Sequence, residues 1–171
     1  MTGKRARWRR PFTATATATA CGLALLLQGC QGALRPLPGL NQQLERLGSG
    51  QSPALGQGWL ALIASREGGR PQVQLIDTLR QLPVPLPGLN RADSLPISVS
   101  TDQQGERLAV VRQRDDRTEL VLYRRSLMAL QPLAIEPAGV PRQVSLSADG
   151  RVLAVEVSRD GLWQVDLLEL P

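Results

Sequence analysis

The sequence predicts an all-β fold built from about three repeated units, and three observations support this expectation. The hexapeptide Pro-Leu-Pro-Gly-Leu-Asn at residues 36–41 recurs at residues 85–90, 49 positions later. Short runs rich in Val, Leu and Ile are separated by turn sequences such as Asp160-Gly161, which is typical of β-hairpins. No stretch after residue 30 sustains an apolar period of 3.6 residues, so residues 42–47 are expected to form one helical turn at most.

The repeat has a period of 45–49 residues. Ser-Val-Ser-Thr-Asp at residues 98–102 recurs as Ser-Leu-Ser-Ala-Asp at residues 145–149. Leu-Ala-Val at residues 108–110 recurs at residues 153–155 and is approximated by Leu-Ala-Leu at residues 60–62. A period of this length, with three or four short strands per unit, is typical of a β-propeller blade.

Three units follow one another, near residues 36–84, 85–131 and 132–171, and the third is cut short. The alignment sets Ser52 at the position of Ser100. Each unit is predicted to contain two clear strands joined by a turn, in the order strand 59–65, turn 67–69, strand 73–76; strand 107–112, turn 114–117, strand 120–123; and strand 151–157, turn 160–161, strand 162–170.

The third unit carries the most specific motif. A Ser-Ala-Asp-Gly turn is followed by a hydrophobic strand, a polar-Asp-Gly turn and a strand ending in Asp, through Ser147, Asp149, Gly150, Asp160, Gly161, Trp163 and Asp166. This pattern resembles the repeat of the TolB family of periplasmic β-propeller proteins, with Ala148 in place of the family's Pro. The resemblance covers residues 50–171 and implies that each unit is a blade of antiparallel strands.

Propellers of the TolB type close a ring of six blades, which three units do not. The resemblance therefore implies a partial, propeller-like array of about three blades that leaves a blade face exposed at each end. Three outcomes stay open. The units form a distorted compact stack, the array completes itself against another chain, or residues 36–50 fold back to supply a missing strand within one chain.

Residues 1–29 are predicted to be a lipoprotein signal peptide. Residues 1–12 contain five basic residues and no acidic one, and a moderately apolar stretch follows. Leu-Gln-Gly-Cys at residues 27–30 resembles the bacterial lipobox, which implies that Cys30 is acylated and anchors the new N-terminus in the lipid bilayer. The alternative is an uncleaved transmembrane helix over residues 12–29. Arg9-Arg10 partly resembles a twin-arginine signal, whereas ordinary Sec export is the simpler expectation.

The expected organisation is a cleaved leader, then a tether with the weak start of the first repeat at residues 30–50, then a β-repeat domain at residues 51–171. The domain is expected to face the periplasm or an equivalent exported compartment.

Charge and composition exclude several functions. The chain has 20 Lys and Arg against 15 Asp and Glu, and the five basic residues in excess all lie within residues 1–12. The remainder is neutral, which argues against nucleic-acid binding. The chain has no His, and its two Cys are Cys21 and Cys30. Catalysis by Ser-His-Asp or Cys-His, and zinc held by His or Cys, are therefore excluded from the β-repeat domain.

The remaining polar groups are interpreted as structural. Asp115-Asp116 is expected at a hairpin tip, and Ser147 with Asp149 is expected to cap a turn rather than to catalyse. Asp93, Asp102 and Asp149 lack the spacing of a calcium loop. We therefore predict no catalytic residue, cofactor site or metal site.

The function predicted from the sequence is that of a non-enzymatic, membrane-anchored platform that binds an unidentified envelope protein or a second copy of itself. The candidate contact residues are Trp163, Val165, Leu167, Arg124 and Arg125. The first three lie at alternate positions on the unfinished third unit, and Arg is enriched at protein interfaces. The alternatives are an envelope hydrolase or glycan-binding module that uses blade-top carboxylates, and a degenerate remnant with a structural role.

Overall fold

The computed structural model describes residues 34–171, which form three antiparallel β-sheets preceded by one helix. The predicted all-β fold of about three blades is confirmed. The helix is α1 (Pro38–Arg46). The strands are β1 (Ser49–Leu55), β2 (Trp59–Ser65), β3 (Gln72–Asp77), β4 (Leu82–Val84), β5 (Ser94–Thr101), β6 (Arg107–Arg114), β7 (Arg117–Arg124), β8 (Ala129–Leu133), β9 (Val140–Leu146), β10 (Val152–Arg159) and β11 (Leu162–Glu169).

Each sheet is a meander in which strands that follow one another in the chain are neighbours. The first blade has the order β1-β2-β3-β4 and the second has β5-β6-β7-β8. Among the described residues the third blade has only three strands, β9, β10 and β11. The β10–β11 turn is the predicted one, with left-handed backbone at both Asp160 (φ 51°) and Gly161 (φ 79°), as a tight hairpin turn requires.

Helix α1 is longer than the sequence reasoning allowed, and the expectation of one helical turn at most is wrong. The helix has nine residues, with Pro38 in its first turn, where a missing N–H costs nothing. Leu40, Leu44 and Leu47 form one apolar stripe and pack on the first blade. This packing stabilises a helix too short to persist alone.

The first unit also aligns two residues away from the expected register. Ala54 pairs with Ala61, just as Ser100 pairs with Ala109 in the second blade. The equivalent of Ser100 is therefore Ala54 and not Ser52. The reason is that the connection between β1 and β2 is shorter than the one between β5 and β6. Residues 36–50 do not supply the missing strand either, because they form α1 and the start of β1 beside the first blade.

The core lies between the blades rather than within them. One apolar cluster, which includes Leu75 and Tyr123, joins the first and second blades, and another, which includes Leu122 and Val155, joins the second and third. Strands β2 and β6 are buried on both faces, whereas β10 is buried at alternate residues only. Alternation of this kind means that one face of the third blade is covered and the other is not.

Serine side chains join the first strands of consecutive blades. The Ser98 hydroxyl accepts a hydrogen bond from the Val144 amide at 3.2 Å, and the Ser100 hydroxyl accepts one from the Leu146 amide at 2.9 Å. Ser52 accepts from the Val99 amide at 3.1 Å in the same way. These bonds satisfy backbone donors that face a neighbouring blade, so they fix the spacing of the array.

Candidate functional site

The sheet register identifies equivalent positions in the three blades. The equivalent cross-strand pairs are Ala61 with Leu75, Ala109 with Leu122, and Ala154 with Leu167. Residues directly opposite in an antiparallel pair project from the same face of the sheet. In the first and second blades this is the face that packs on the following blade.

These positions are buried in two blades and exposed in the third. Leu75 and Leu122 are 0% exposed, whereas Leu167 is 73% exposed. One pair further along, Val73 and Leu120 are each 2% exposed, whereas Val165 is 70% exposed. We call the uncovered side of the third blade, formed by Ala154, Trp163, Val165 and Leu167, the open face. Large exposed apolar side chains that lie beside one another mark a candidate contact surface.

Charged groups lie on and beside the open face, and Glu156 projects from its central strand. The Arg142 guanidinium lies over the Trp163 ring, 4.7 Å from its centroid. Its Nε is also 3.8 Å from the Glu156 carboxylate, and Glu156 pairs with Val165 across the sheet. Trp and Arg are two of the residue types that are enriched at protein interfaces and among their energetically dominant residues.

Strand β11 adds a free sheet edge to this surface. In the first and second blades the equivalent strands, β3 and β7, each pair with a fourth strand. Within residues 34–171 the outer edge of β11 has no such neighbour. An unpaired edge presents backbone N–H and C=O groups that a strand from another chain can bind.

The other end of the array is covered. Leu60, Leu62 and Ile76 project from the first blade on the side away from the second blade, and α1 packs its Leu40 against them. All four side chains are buried. The described part of the chain therefore presents one uncovered blade face, not one at each end as expected.

Arg124 and Arg125 lie apart from the open face. The Arg125 guanidinium lies 4.4 Å from the centroid of the Trp59 ring and 3.7 Å from the Glu106 carboxylate, which ties the second blade to the first. Arg124 donates a hydrogen bond to the Pro171 carbonyl oxygen at 3.2 Å. The structure thus groups Trp163, Val165 and Leu167, and it places the two arginines in contacts between elements of the same chain.

The Ser147–Asp149 pair caps a turn, as the sequence predicts. The Ser147 hydroxyl donates to the Asp149 carboxylate at 2.6 Å and accepts from the Val152 amide at 2.9 Å. The Asp149 carboxylate accepts from the Arg151 amide at 3.1 Å. The hydrogen bond from Ser147, followed by that from the Arg151 backbone, holds the pKa of Asp149 below its ordinary value.

Two other carboxylates are held ionised by arginines. The hydrogen bond from Arg91 lowers the pKa of Asp93, and the hydrogen bond from Arg159 lowers the pKa of Asp166. A general acid needs the opposite shift. Within residues 34–171 no three acidic side chains converge as ligands of a metal ion.

The leader predictions, from the signal peptide to Cys30 acylation, concern residues outside the described part of the chain. Within residues 34–171 no helix has the length and apolarity needed to cross a membrane.

The sequence groups Arg112 with Arg114 and Arg117 as a mixed-charge hairpin surface, and for Arg112 this interpretation is wrong. This arginine is buried on the side of the second blade that faces the first. The signal was present in the repeat, since the equivalent positions hold the apolar residues Ala64 and Val157.

Comparison with known proteins supports the architecture. No protein-family model and no curated relative matches the chain. Among solved structures, TolB from Acinetobacter baumannii matches with a TM-score of 0.54 and 16% sequence identity. The match covers 69% of this chain and 29% of that protein, so the chain corresponds to less than a third of its length. At this identity the likeness establishes a shared fold, and the array is therefore a TolB-like set of propeller blades.

Proposed function

We propose that this protein is a non-enzymatic, lipid-anchored protein-binding platform of the cell envelope, and that the open face of the third blade is its binding surface. The observation that carries the proposal is the burial contrast between Leu122 and Leu167, which occupy the same position in consecutive blades. One is sealed by the next blade, and the other is left in solvent. Covering such apolar area is favourable by about 25 cal/mol per Å².

The occupant of the open face is a β-sheet of a different protein. In this chain such a face packs against the opposite face of the next blade, which presents branched aliphatic residues such as Val155 and Val157. The described residues of a second copy offer no free face of that kind, because α1 covers the corresponding side of its first blade. The partner therefore supplies an apolar sheet face, together with a strand that extends the edge of β11.

The alternative of a carboxylate hydrolase has less support. Glycoside hydrolysis needs one carboxylic acid with a raised pKa close to a second carboxylate. Asp93, Asp149 and Asp166 have lowered pKa values and are held by local partners.

The proposal of a lipid anchor is based on the leader sequence. Replacing Cys30 with Ala is expected to abolish lipid attachment and to leave the precursor uncleaved, which metabolic labelling with a fatty acid and gel mobility measure. A Cys30→Ala protein that is still processed to the mature mass and still bound to membranes would contradict lipidation.

The binding surface is tested by photo-crosslinking in cells that express the full chain. A photoreactive phenylalanine analogue at position 165 is expected to form one discrete adduct with a heterologous protein. The same analogue at Leu79, an exposed apolar residue on the β3–β4 turn, is the matched control and is expected to form none. Adding Leu167→Asp is expected to abolish the adduct at position 165, because a carboxylate would be buried without a partner.

Each other outcome counts against the proposal. An adduct with twice the mass of the chain identifies a second copy as the occupant. An adduct that is equally strong at position 79, or that survives Leu167→Asp, shows that the open face does not determine binding.

A further inference from the structure

The hairpin turns of the three blades lie at two opposite ends of the array. The inner turns are joined at one end, where the Gln57 amide donates to the Gln103 carbonyl oxygen at 2.8 Å and the Gln103 amide donates to the Ala148 carbonyl oxygen at 2.9 Å. The β3–β4 turn (residues 78–81) and the β7–β8 turn (residues 125–128) lie at the same end, because alternate turns of an antiparallel meander share an end. We call this end the leucine end; it consists of residues 55–58, 78–82, 102–106, 125–128 and 147–151.

Large apolar side chains are exposed at the leucine end. Leu79 is 86% exposed and Leu55 is 77% exposed, while Leu82, Leu127 and Met128 are each more than half exposed. None of the five belongs to an apolar cluster that joins two blades or holds α1. These side chains therefore add little to the packing of the domain, and they are free to contact a surface outside it.

The turns at the opposite end carry charge instead. Their exposed residues include Arg66, Glu67, Asp115, Asp116 and Asp160. Among residues 37–171 no exposed large apolar side chain lies in a turn of that end, although Leu95, Val140 and Leu162 are exposed on the strands beside these turns. Charged groups at turn apices are poorly suited to an apolar environment, because losing their hydration is costly. The two ends of the array are thus chemically distinct.

Hydrogen bonds fix the two outer turns of the leucine end. The Asp77 carboxylate accepts from the Leu79 amide at 3.0 Å and from the Arg80 amide at 2.9 Å. The Glu106 carboxylate accepts from the Ser126 amide at 2.8 Å. Both carboxylates are mostly shielded from solvent. The acidic groups beside these turns thus satisfy backbone donors, which lets the leucines approach a medium that offers few hydrogen bonds.

The chain enters the domain at the leucine end. Helix α1 begins beside the β3–β4 turn, since a Cβ placed on Gly39 would lie 2.9 Å from the Gln81 Oε1 atom. Cys30 precedes Leu37 by seven residues, which span at most about 25 Å when extended. A lipid on Cys30 would therefore hold the leucine end close to a bilayer.

We propose that the leucine end rests on the bilayer that holds the anchor, with Leu55, Leu79 and Leu127 inserted among the lipid headgroups and upper acyl chains. The inference depends on the membrane anchor of the proposed function, and it adds the orientation of the domain. Insertion removes apolar side chains from water, and the long Arg80 side chain beside Leu79 keeps its charge among the headgroups.

A bilayer suits these leucines better than a protein does. They project from separate turns, at the end that the tether holds, and they form no continuous sheet face. The open face lies on β10 and β11, between the two ends of the array. It therefore stays accessible to a protein partner when the leucine end contacts lipid.

Photo-crosslinking to lipid tests the orientation. The full chain, purified in mild detergent, is reconstituted into vesicles that contain phosphatidylethanolamine radiolabelled in its acyl chains. A photoreactive phenylalanine analogue at position 79 or 127 is expected to acquire radiolabelled lipid. The same analogue at position 67 or 116, on exposed turns of the opposite end, is the matched control. Its yield is expected to be about tenfold lower, because burying one leucine side chain suffices for an orientation preference of that size.

Glutamate substitutions test the leucines themselves. Leu55→Glu combined with Leu79→Glu is expected to reduce the lipid adduct at position 127 about tenfold, because a carboxylate resists leaving water. Val140→Glu combined with Leu162→Glu, the matched change at exposed positions near the opposite end, leaves that adduct unchanged. Both double variants are expected to keep the circular dichroism of the unsubstituted chain and to float with the vesicles, because the substituted side chains are exposed and the anchor is intact.

The possible failures are distinguishable. A chain that does not float with the vesicles contradicts the anchor, so it overturns this inference together with that part of the proposed function. A floating chain that acquires lipid equally at both ends, or mainly at positions 67 and 116, overturns this inference alone. This inference is also overturned if the adduct at position 127 survives Leu55→Glu with Leu79→Glu, or if the probe at position 79 forms a discrete protein adduct in cells.

Discussion

The two end faces of the array both carry aliphatic side chains, but these side chains are buried on one face and exposed on the other. At one end, Leu60, Leu62 and Ile76 of the first blade are buried beneath α1. At the other end, Val165 and Leu167 of the third blade stand in solvent. On the first blade these residues lie on both β2 and β3, whereas on the third blade they lie on β11, and the central strand β10 contributes small and polar residues. The larger difference is that α1 covers the first of these faces, whereas no described residue covers the second.

This comparison teaches that, within residues 34–171, the array is capped at one end only. A terminal repeat of a stacked protein normally carries a cap, because an exposed repeat face favours association. Helix α1 is such a cap, and the described residues contain no counterpart beside the third blade. An apolar blade face that is left uncapped, at the opposite end from the capped face, is available for binding.

The largest effect is expected from truncating equivalent leucines. Leu122→Ala is expected to lower the free energy of unfolding by about 3 kcal/mol, because it leaves a cavity between blades. Leu167→Ala, the matched change on the open face, is expected to alter it by less than about 0.5 kcal/mol. Urea unfolding of both variants measures the contrast. Equal losses would mean that the open face is covered within the monomer.

The serine contacts allow a second test, of how the third blade is held. Ser98→Ala leaves the buried Val144 amide without its acceptor and is expected to cost about 2 kcal/mol of unfolding free energy. The control is Ser145→Ala, on the uncovered side of β9, with an expected change below about 0.5 kcal/mol. A negligible effect of Ser98→Ala would show that apolar packing alone joins the second and third blades.

The hairpin that carries the open face is expected to be sensitive to backbone strain. Gly161 has a φ of 79°, and no atom lies near the position that a Cβ would occupy. A larger side chain would therefore be disfavoured there by backbone strain and not by a clash. Gly161→Val is expected to cost about 1 kcal/mol of unfolding free energy, and Gly161→Asn less, since Asn tolerates left-handed backbone. If thermal unfolding gives the two variants equal stability, the turn is not held in this conformation.

The smallest effect is expected on the covered side of β11. Asp166 binds Arg159, and its lowered pKa means that the pair stabilises the folded chain fully above pH about 4 and ceases to do so as pH falls through that lowered pKa. The stability gap between the unsubstituted chain and Asp166→Asn should therefore close on acidification. A gap that is constant down to pH 2 would contradict the role of the carboxylate charge.

Much of the strand structure was predictable, because each hairpin carries its own signal. An aliphatic run predicts the strand of residues 59–65. Asp and Gly, which tolerate positive φ, predict the turns at residues 114–117 and 160–161, where the structure has Asp115, Asp160 and Gly161 at positive φ. The open face was predictable in part, because Trp163, Val165 and Leu167 alternate along a strand that ends the third unit.

The helix was not predictable from its hexapeptide. Pro-Leu-Pro-Gly-Leu-Asn begins α1 at residues 36–41 but forms a turn at residues 85–90, where Gly88 has a φ of 79°. Leu40 and Leu89 are nevertheless both buried, Leu40 against the first blade and Leu89 between the first and second blades. Tertiary packing, not local sequence, decides between the two conformations. The apolar spacing of Leu40, Leu44 and Leu47 was the one available signal.

The burial of Arg112 was equally hidden, because it depends on how two sheets pack. Only the alignment of Arg112 with Ala64 and Val157 pointed to a special position. A repeat thus predicts the common fold of its units, and it shows where one unit departs from the others only after the units are aligned.

The central claim is that the open face docks the apolar face of a neighbouring blade. The most direct test exposes such a face on a second copy of the chain. Leu40→Asp in a chain of residues 31–171 is expected to detach α1 and to expose the first blade's apolar face. Light scattering should then find a monomer for the unsubstituted chain, head-to-tail oligomers for Leu40→Asp, and a monomer again when Leu167→Asp is added. Oligomers of Leu40→Asp that persist with Leu167→Asp would contradict the claim that the open face is a blade-docking surface.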